Sequence, residues 1–333
     1  MSISFDNGDD GNYNVAYPDV IDAAGGGTVA MSYTGSSETN VNAAVQYDGG
    51  DFKTVSLGFP LESIFPASSR DNVMTESLNF LLDGTSTEDP AEMRLAIITV
   101  FDDINDTTAI QNWVDEIASQ NYNAIAVHAR YRGDATYFPN KNDSTYSNSE
   151  PRRSSAGSID VIEAFTTRGH AAGLKVFAYV NTQLVTDGAD THPDPDHVVN
   201  THPEWRTYAY NGGNPVQQDT SLEGEGLWID PALPAARTYN ANIAGDIMMN
   251  YDCDGIILDR IRYPQTTFTR ENKDFGYHPD AVADFNNEYG KSGTPDPNDS
   301  DWIQYRQDQI TAQVQEIYNT ITAIDSDHIL LAY

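Results

Sequence analysis

From Met93 onward, short apolar runs alternate with longer segments whose apolar residues recur every three to four positions, the helical period. Strands are predicted over 95–100, 124–129, 175–180, 255–261 and 328–332, and helices over 108–120, 159–172, 234–250 and 301–324. The first helix places Ile110, Trp113, Val114 and Ile117 on one face, and the second has Ser158 as N-cap and Gly173 as C-cap. Such alternation implies a parallel sheet with helices packed on it. The polar loops after the second, third and fourth strands are long, whereas the turns from helix back to strand are short. In a (β/α)8 barrel that asymmetry puts the working surface at the strand C-termini. An open doubly wound sheet is the alternative, but no glycine-rich phosphate loop follows any of these strands. The expected fold class is therefore α/β of the TIM-barrel type, truncated after its fifth strand. Either the chain is a fragment or another chain covers the open sheet edges.

Residues 1–82 follow another pattern. Gly25-Gly-Gly turns into one strand, and 52–60 makes a second. An amphipathic helix over 70–82 carries Val73, Leu78, Leu81 and Leu82 on one side. Residues 83–92, with Gly84, Ser86, Asp89 and Pro90, read as a linker to a domain spanning 93–333.

Fifty acidic residues against eighteen basic ones give a net charge of −32, which argues against nucleic acid as a partner. The acids are spread along the chain and only five of the basic residues are lysines, as on a surface adapted to high salt. At molar salt, where the Debye length is about 3 Å, screening should relieve the self-repulsion and stabilise the fold. No apolar run is long enough to span a membrane, residues 1–14 are unlike a signal peptide, and Cys253, with no other cysteine to pair with, reads as a small core hydrophobe.

The segment Asp254-Gly-Ile-Ile-Leu-Asp-Arg-Ile-Arg-Tyr-Pro264 reads as a buried strand delivering a carboxylate and two arginines at its C-terminal end. With a side-chain period of two, Asp259 shares a face with Ile257 and Ile261, so it points inward above an apolar layer. A carboxylate beside Arg260 and Arg262 is a candidate nucleophile or proton donor; a structural ion pair closing the strand is the other reading. Asp254 starts the strand, at the stability face of a barrel. The second strand ends in His128-Ala-Arg-Tyr-Arg-Gly-Asp-Ala-Thr-Tyr137, and Tyr179-Val-Asn181, His202-Pro-Glu-Trp205 and Trp228-Ile-Asp-Pro231 follow the third. Aromatics beside carboxylates, arginines and an amide suit a carbohydrate, with flat faces for sugar C–H surfaces and polar groups for hydroxyls. His192, His197 and His202 share a loop with several aspartates, but their spacing matches no zinc pattern, so no metal or cofactor is expected.

These motifs, with Tyr251-Asp-Cys-Asp-Gly before Asp-Arg-Ile-Arg-Tyr-Pro, resemble the glycosyl-hydrolase-like family ten, a (β/α)8 family of presumed, often extracellular, glycosidases. The resemblance implies Asp259 as nucleophile or acid/base. It implies a substrate cleft with Arg130, Arg132, Asp134, Asn181, Trp205 and Tyr263; His128, Tyr137, Trp228, Asp230, Arg260 and Arg262 join the substrate-binding candidates by position and residue type. Glycoside hydrolysis uses two carboxylates. The candidates for the second are Asp134, Asp102 and Asp103, or a residue on a strand beyond Tyr333, and a competing reading of Asp134 is that it positions Arg132. Near the N-terminus, Gly58-Phe-Pro-Leu-Glu62 followed by Arg70 is similar to the end of a glutamine-amidotransferase-like, flavodoxin-like domain; that segment has no cysteine nucleophile, so no activity is carried over.

Overall fold

The computed structural model describes residues 4–5, 15, 18–34, 41–50, 52–81, 92–186, 188–219, 225–265 and 274–333. The chain forms two compact units, Met1–Glu92 and Met93–Tyr333. Leu82 and residues 83–91 of the expected linker lie outside the described residues.

The first unit contains β1 (Ser4–Phe5), β2 (Thr28–Tyr33), β3 (Val41–Asp48), β4 (Lys53–Leu57), β5 (Ile64–Phe65) and α1 (Ala67–Leu81). Strands β2, β3 and β4 form an antiparallel meander and β1 pairs antiparallel with β5. The parallel sheet of a flavodoxin-like domain is not found among the described residues of this unit. Its core gathers Ala43, Phe59, Ile64 and Val73 against Phe5, Tyr33 and Leu57. Helix α1 enters that core only through Val73, while Leu78 and Leu81 are 46% and 37% exposed, so the predicted stripe is not the buried face. Gly58 is required by close approach: a Cβ there would stand 2.2 Å from the Asp19 carbonyl oxygen.

The second unit comprises β6 (Leu95–Ile98), α2 (Thr107–Ser119), β7 (Ala124–Tyr131), β8 (Asp134–Ala135), α3 (Val161–Ala171), β9 (Lys175–Asn181), α4 (Val198–Thr201), β10 (Tyr208–Ala209), β11 (Val216–Gln217), α5 (Pro234–Asn250), β12 (Gly255–Asp259), α6 (Pro279–Tyr289), α7 (Ser300–Ile324) and β13 (Ile329–Ala332). Strands β6, β7, β9, β12 and β13 are parallel and lie side by side in chain order, with β8 folding back antiparallel on β7. Sequential order is what a barrel requires; a doubly wound sheet reverses its order at a switch point. The caps are local chemistry: Asp106 and Asp160, rather than Ser158, accept from the first-turn amides of α2 and α3, and Gly173 follows the Ala172 C-cap with a φ of 75°. Helix α6, which the sequence reading left within a loop, starts at His278 and Pro279 and packs Phe285 against Trp302 and Tyr305 of α7.

The sheet has two differently used faces. Ile125, Val127, Val176, Ala178, Ile256 and Leu258 pack toward the helices. Ala124, Ala126, Phe177, Tyr179 and Ile257 form the opposite apolar layer, flanked by half-buried Leu95, Ile97, Ile329 and Leu331. Trp113 and Trp302 lie in helix packing, as expected of core anchors. Among the described residues no helix is long and apolar enough to cross a membrane.

Candidate functional site at the strand C-termini

Asp259 ends β12 on the same face as Ile257, so its carboxylate surmounts the inner apolar layer and is only 6% exposed. The alternation stops there. Arg260 takes a left-handed backbone with φ of 54°, and Ile261, expected beside Asp259, packs with the helix-side core instead. A non-glycine residue in that region carries local strain, which recurs at functional sites.

Four groups hold the Asp259 carboxylate. Asn181, at the end of neighbouring β9, donates its side-chain amide to Oδ2 at 2.6 Å. The Arg260 backbone N–H and guanidinium reach Oδ1 at 2.8 and 3.1 Å. Tyr179 brings its hydroxyl to the same carboxylate; burial, then the Asp259 charge, raises that phenol well above its ordinary pKa. A carboxylate with both oxygens oriented from adjacent strand ends is preorganised to face a ligand.

Glu225, in the long loop after β9, was not anticipated from sequence. It pairs with Arg260 at 3.0 Å and with Arg262 at 3.2 Å, and its carbonyl accepts from Arg132 at 2.8 Å. A single loop residue thus gathers arginines from the ends of β7 and β12. No local pattern marks Glu225 among fifty acids; only the arrangement of the two strands selects it.

His128 lies on the inner face of β7 between the rings of Tyr131 and Tyr179, at 5.2 and 4.6 Å. Its Nδ1 accepts from the Val100 N–H at 3.3 Å, which leaves the proton on Nε2. Burial and then the Arg153 charge lower its pKa to about 4, so the ring is neutral at ordinary pH.

Several expected cleft residues belong elsewhere. A register shift in β7 between His128 and Arg130 turns Arg130 toward the helix layer. There it is fully buried, pairs with Glu150 at 2.6 Å, and donates to the carbonyls of Asn181 and Thr182. Tyr137 is fully buried and its hydroxyl accepts from Asn148 at 2.7 Å. Trp228 is fully buried with the Arg262 guanidinium over its ring at 4.8 Å. Asp230 is fully buried and accepts from the Thr207 hydroxyl and the Ala232 amide. Tyr263 lies beside Asp230, whose charge adds to burial in raising the phenol pKa. Trp205 keeps part of its surface, but His202 stacks flat on one ring face at 3.7 Å. Trp228 and Asp230 thus join the loop after β9 to Arg262 and Tyr263 of the loop after β12; the aromatic-plus-carboxylate pattern that suggested a sugar site equally describes a well-packed polar loop. Beside that loop junction, a cavity of about 890 Å³ is lined by Arg262, Tyr263, Asp274, Ile303, Arg306 and Ile310. It adjoins α7 and is not lined by Asp259.

Two of the expected second carboxylates, Asp102 and Asp134, are engaged by protein groups. Asp102 accepts from the Thr99 N–H and hydroxyl at 2.7 and 2.9 Å, Asp103 is exposed, and Asp134 pairs with Arg153 at 3.3 Å and His192 at 3.6 Å. Asp134, His192 and His197 bring one potential metal-ligating atom each within 4.8 Å of one another. The backbone sets their tautomers against that use. Asp194 N–H donates to His192 Nδ1, and Val199 N–H donates to His197 Nδ1, so both Nε2 atoms carry protons. The His197 Nε2–H donates to the Arg132 carbonyl at 3.1 Å, pinning the left-handed turn at Arg132 and Gly133, with φ of 56° and 85°. A Cβ at position 133 would stand 2.3 Å from that nitrogen. The histidines therefore hold the β7–β8 turn that carries Arg132 and Asp134. His170, in the last turn of α3, reaches Asp252 and Asp254 at 3.3 and 2.9 Å, at the opposite end of the strands.

Comparison with known proteins bears on this geometry. The profile of the family described as Glycosyl hydrolase-like 10 matches residues 92–329. An S-layer-related protein of Niallia circulans is 20% identical over 186 residues, covering 50% of this chain and 11% of that protein. Alpha-L-fucosidase isoenzyme 2 from Paenibacillus thiaminolyticus superposes with a TM-score of 0.50 at 17% identity, over 73% of this chain and 32% of that one. The PgaB (BpsB) glycoside hydrolase domain from Bordetella bronchiseptica gives 0.46 at 18% identity, over 72% and 64%. The chain thus spans a ninth of the S-layer-related protein and a third of the fucosidase. At these identities structural likeness speaks to fold alone.

Proposed function

Because the chain belongs to the glycosyl hydrolase-like 10 family, we propose that it is a glycoside hydrolase acting on a polysaccharide or oligosaccharide, with Asp259 as the essential carboxylate. The observation that carries this reading is the seat of Asp259: an inward carboxylate at a strand C-terminus, oriented by Asn181, Tyr179 and Arg260. As nucleophile it would attack the anomeric carbon; as acid/base it would exchange a proton with the glycosidic oxygen or water. Arg260, Arg262 and Arg132, gathered by Glu225, and His128 form the substrate-facing polar set in this reading. Asp134 remains the proposed second carboxylate, in the turn held by His197. In this reading the five parallel strands belong to a (β/α)8 barrel whose strand C-termini carry the site. No activity is proposed for the first unit, whose amidotransferase-like segment lacks a cysteine.

A second reading, a carbohydrate-binding pseudoenzyme, is favoured by the engagement of Asp102 and Asp134 with other protein groups. One substitution separates the two. Asp259→Asn should reduce glycan hydrolysis on the order of a thousandfold while sparing glycan affinity. Unchanged hydrolysis by Asp259→Asn would remove Asp259 from the chemistry; binding without turnover in the wild type would favour the pseudoenzyme.

A further inference from the structure

We propose that Phe101 is the aromatic platform of an outlying saccharide subsite, and that the site therefore takes an extended glycan chain rather than a single sugar. This rests on the glycosidase or glycan-binding reading of Asp259 and adds to it the length of the ligand.

Phe101 is 76% exposed, yet it is rigidly presented. It lies just past the C-terminal end of β6 in a turn closed three ways: Asp102 N–H donates to the Thr99 carbonyl at 3.1 Å, the Asp102 carboxylate accepts from Thr99, and Phe101 N–H donates to the Thr99 hydroxyl at 3.3 Å. Hydrogen bonds of this kind order the turn while leaving the ring in solvent. The ring makes an edge-to-face contact with Tyr131, at 5.4 Å and 83°. An isolated exposed apolar residue needs no explanation. This one begins a row.

From Phe101 the rings continue to Tyr131, then to His128 at 5.2 Å, then to Tyr179 at 4.6 Å, whose hydroxyl meets Asp259. The row follows the C-terminal ends of β6, β7, β9 and β12 in spatial order. Neighbouring strands lie about 4.8 Å apart, so three spacings put Phe101 about 14 Å across the sheet from Asp259, farther than one pyranose ring reaches. Along the row the polar groups are Arg132 and Arg153, whose guanidiniums lie over the Tyr131 ring at 5.1 and 4.7 Å. Both guanidiniums are held by protein groups, Arg132 by the Glu225 carbonyl and Arg153 by Asp134, so what Phe101 offers a ligand is its flat apolar face, which suits the C–H face of a pyranose ring.

The test uses the full chain and isothermal titration calorimetry with gluco-, chito- and manno-oligosaccharides, comparing disaccharide with hexasaccharide in each series. The wild type should bind the hexasaccharide of its preferred series more tightly. Phe101→Ala should lose that advantage, by about tenfold, leave disaccharide affinity unchanged and leave thermal unfolding unchanged because the side chain is exposed. Phe101→Trp should retain the advantage and Phe101→Leu should not. Undiminished hexasaccharide affinity in Phe101→Ala, or full retention in Phe101→Leu, overturns the platform while leaving Asp259's role intact. Failure of the wild type to bind any member of the panel overturns the glycan reading and the subsite with it.

Discussion

Two arginine–carboxylate pairs stand at the C-terminal ends of the same parallel sheet, one behind it and one in front. Arg130 and Glu150 face the helix layer with both side chains fully enclosed. Their pairing is completed by the carbonyls of Asn181 and Thr182 and the Tyr239 hydroxyl. Burial works against the charge on Arg130, and Glu150 more than restores it. Arg260 and Asp259 face the inner side, with side chains 31% and 8% exposed, and the arginine sits in a left-handed turn. The enclosed pair bonds two loops into one body. The other leaves a guanidinium at the solvent edge and a carboxylate one layer below it, as a site that must meet a ligand requires.

The sharpest way to break this comparison is to remove one partner of the enclosed pair. Arg130→Ala should cost about 3–5 kcal/mol in chemical denaturation, because Glu150 would be left buried without its counter-charge. The double change Arg130→Met with Glu150→Leu should cost clearly less. If Arg130→Ala lies within about 1 kcal/mol of the wild type, the pair does not hold the loops.

A smaller effect should follow from pH. His128 and His197 are both held neutral by burial, each with a pKa of about 4. An unfolded histidine titrates near about 6.5, so the unfolded chain binds protons that the folded chain refuses between those values. This share of stability is therefore complete above pH of about 6.5 and is lost as pH falls toward about 4, on the order of 2–3 kcal/mol per histidine. The urea midpoint should fall between pH of about 7 and about 5 in the wild type, and less steeply in His197→Gln; identical slopes would remove His197 from the account.

The smallest stability effect belongs to the exposed pair. Arg260→Ala should change unfolding free energy by less than about 1 kcal/mol, since a part-exposed ion pair contributes little, yet lower kcat/KM by loosening Asp259. A large stability loss with normal kinetics would make it a structural pair after all.

Much of the fold was legible. Apolar runs located all five parallel strands, and β12 was oriented well enough to send Asp259 inward, because strand periodicity is a local property of the chain. The same argument failed two residues later at Ile261, because Arg260 between them leaves extended geometry. The family resemblance placed Arg130 in the cleft, but it follows a register shift in β7 that turns it toward the helix layer. Trp228, Asp230 and Tyr137 were chosen for residue type, and residue type does not distinguish a ligand platform from a buried loop anchor. Helix α6 was missed because Pro279–Tyr289 buries only Ala281 and Phe285, too sparse a stripe to stand out in an acidic segment.

The sequence by itself determined the alternating α/β plan, the absence of a disulfide and the delivery of Asp259 to a strand end, because each depends on composition or on neighbours a few residues apart. Only the tertiary structure decided which arginine faces the inner side of the sheet, that Glu225 gathers three of them, that two histidines pin the Arg132 turn, and that Phe101 begins a row of rings leading to Asp259. Those outcomes depend on groups from different strands and loops meeting at the sheet's C-terminal edge, and no local period records which partner each side chain meets there.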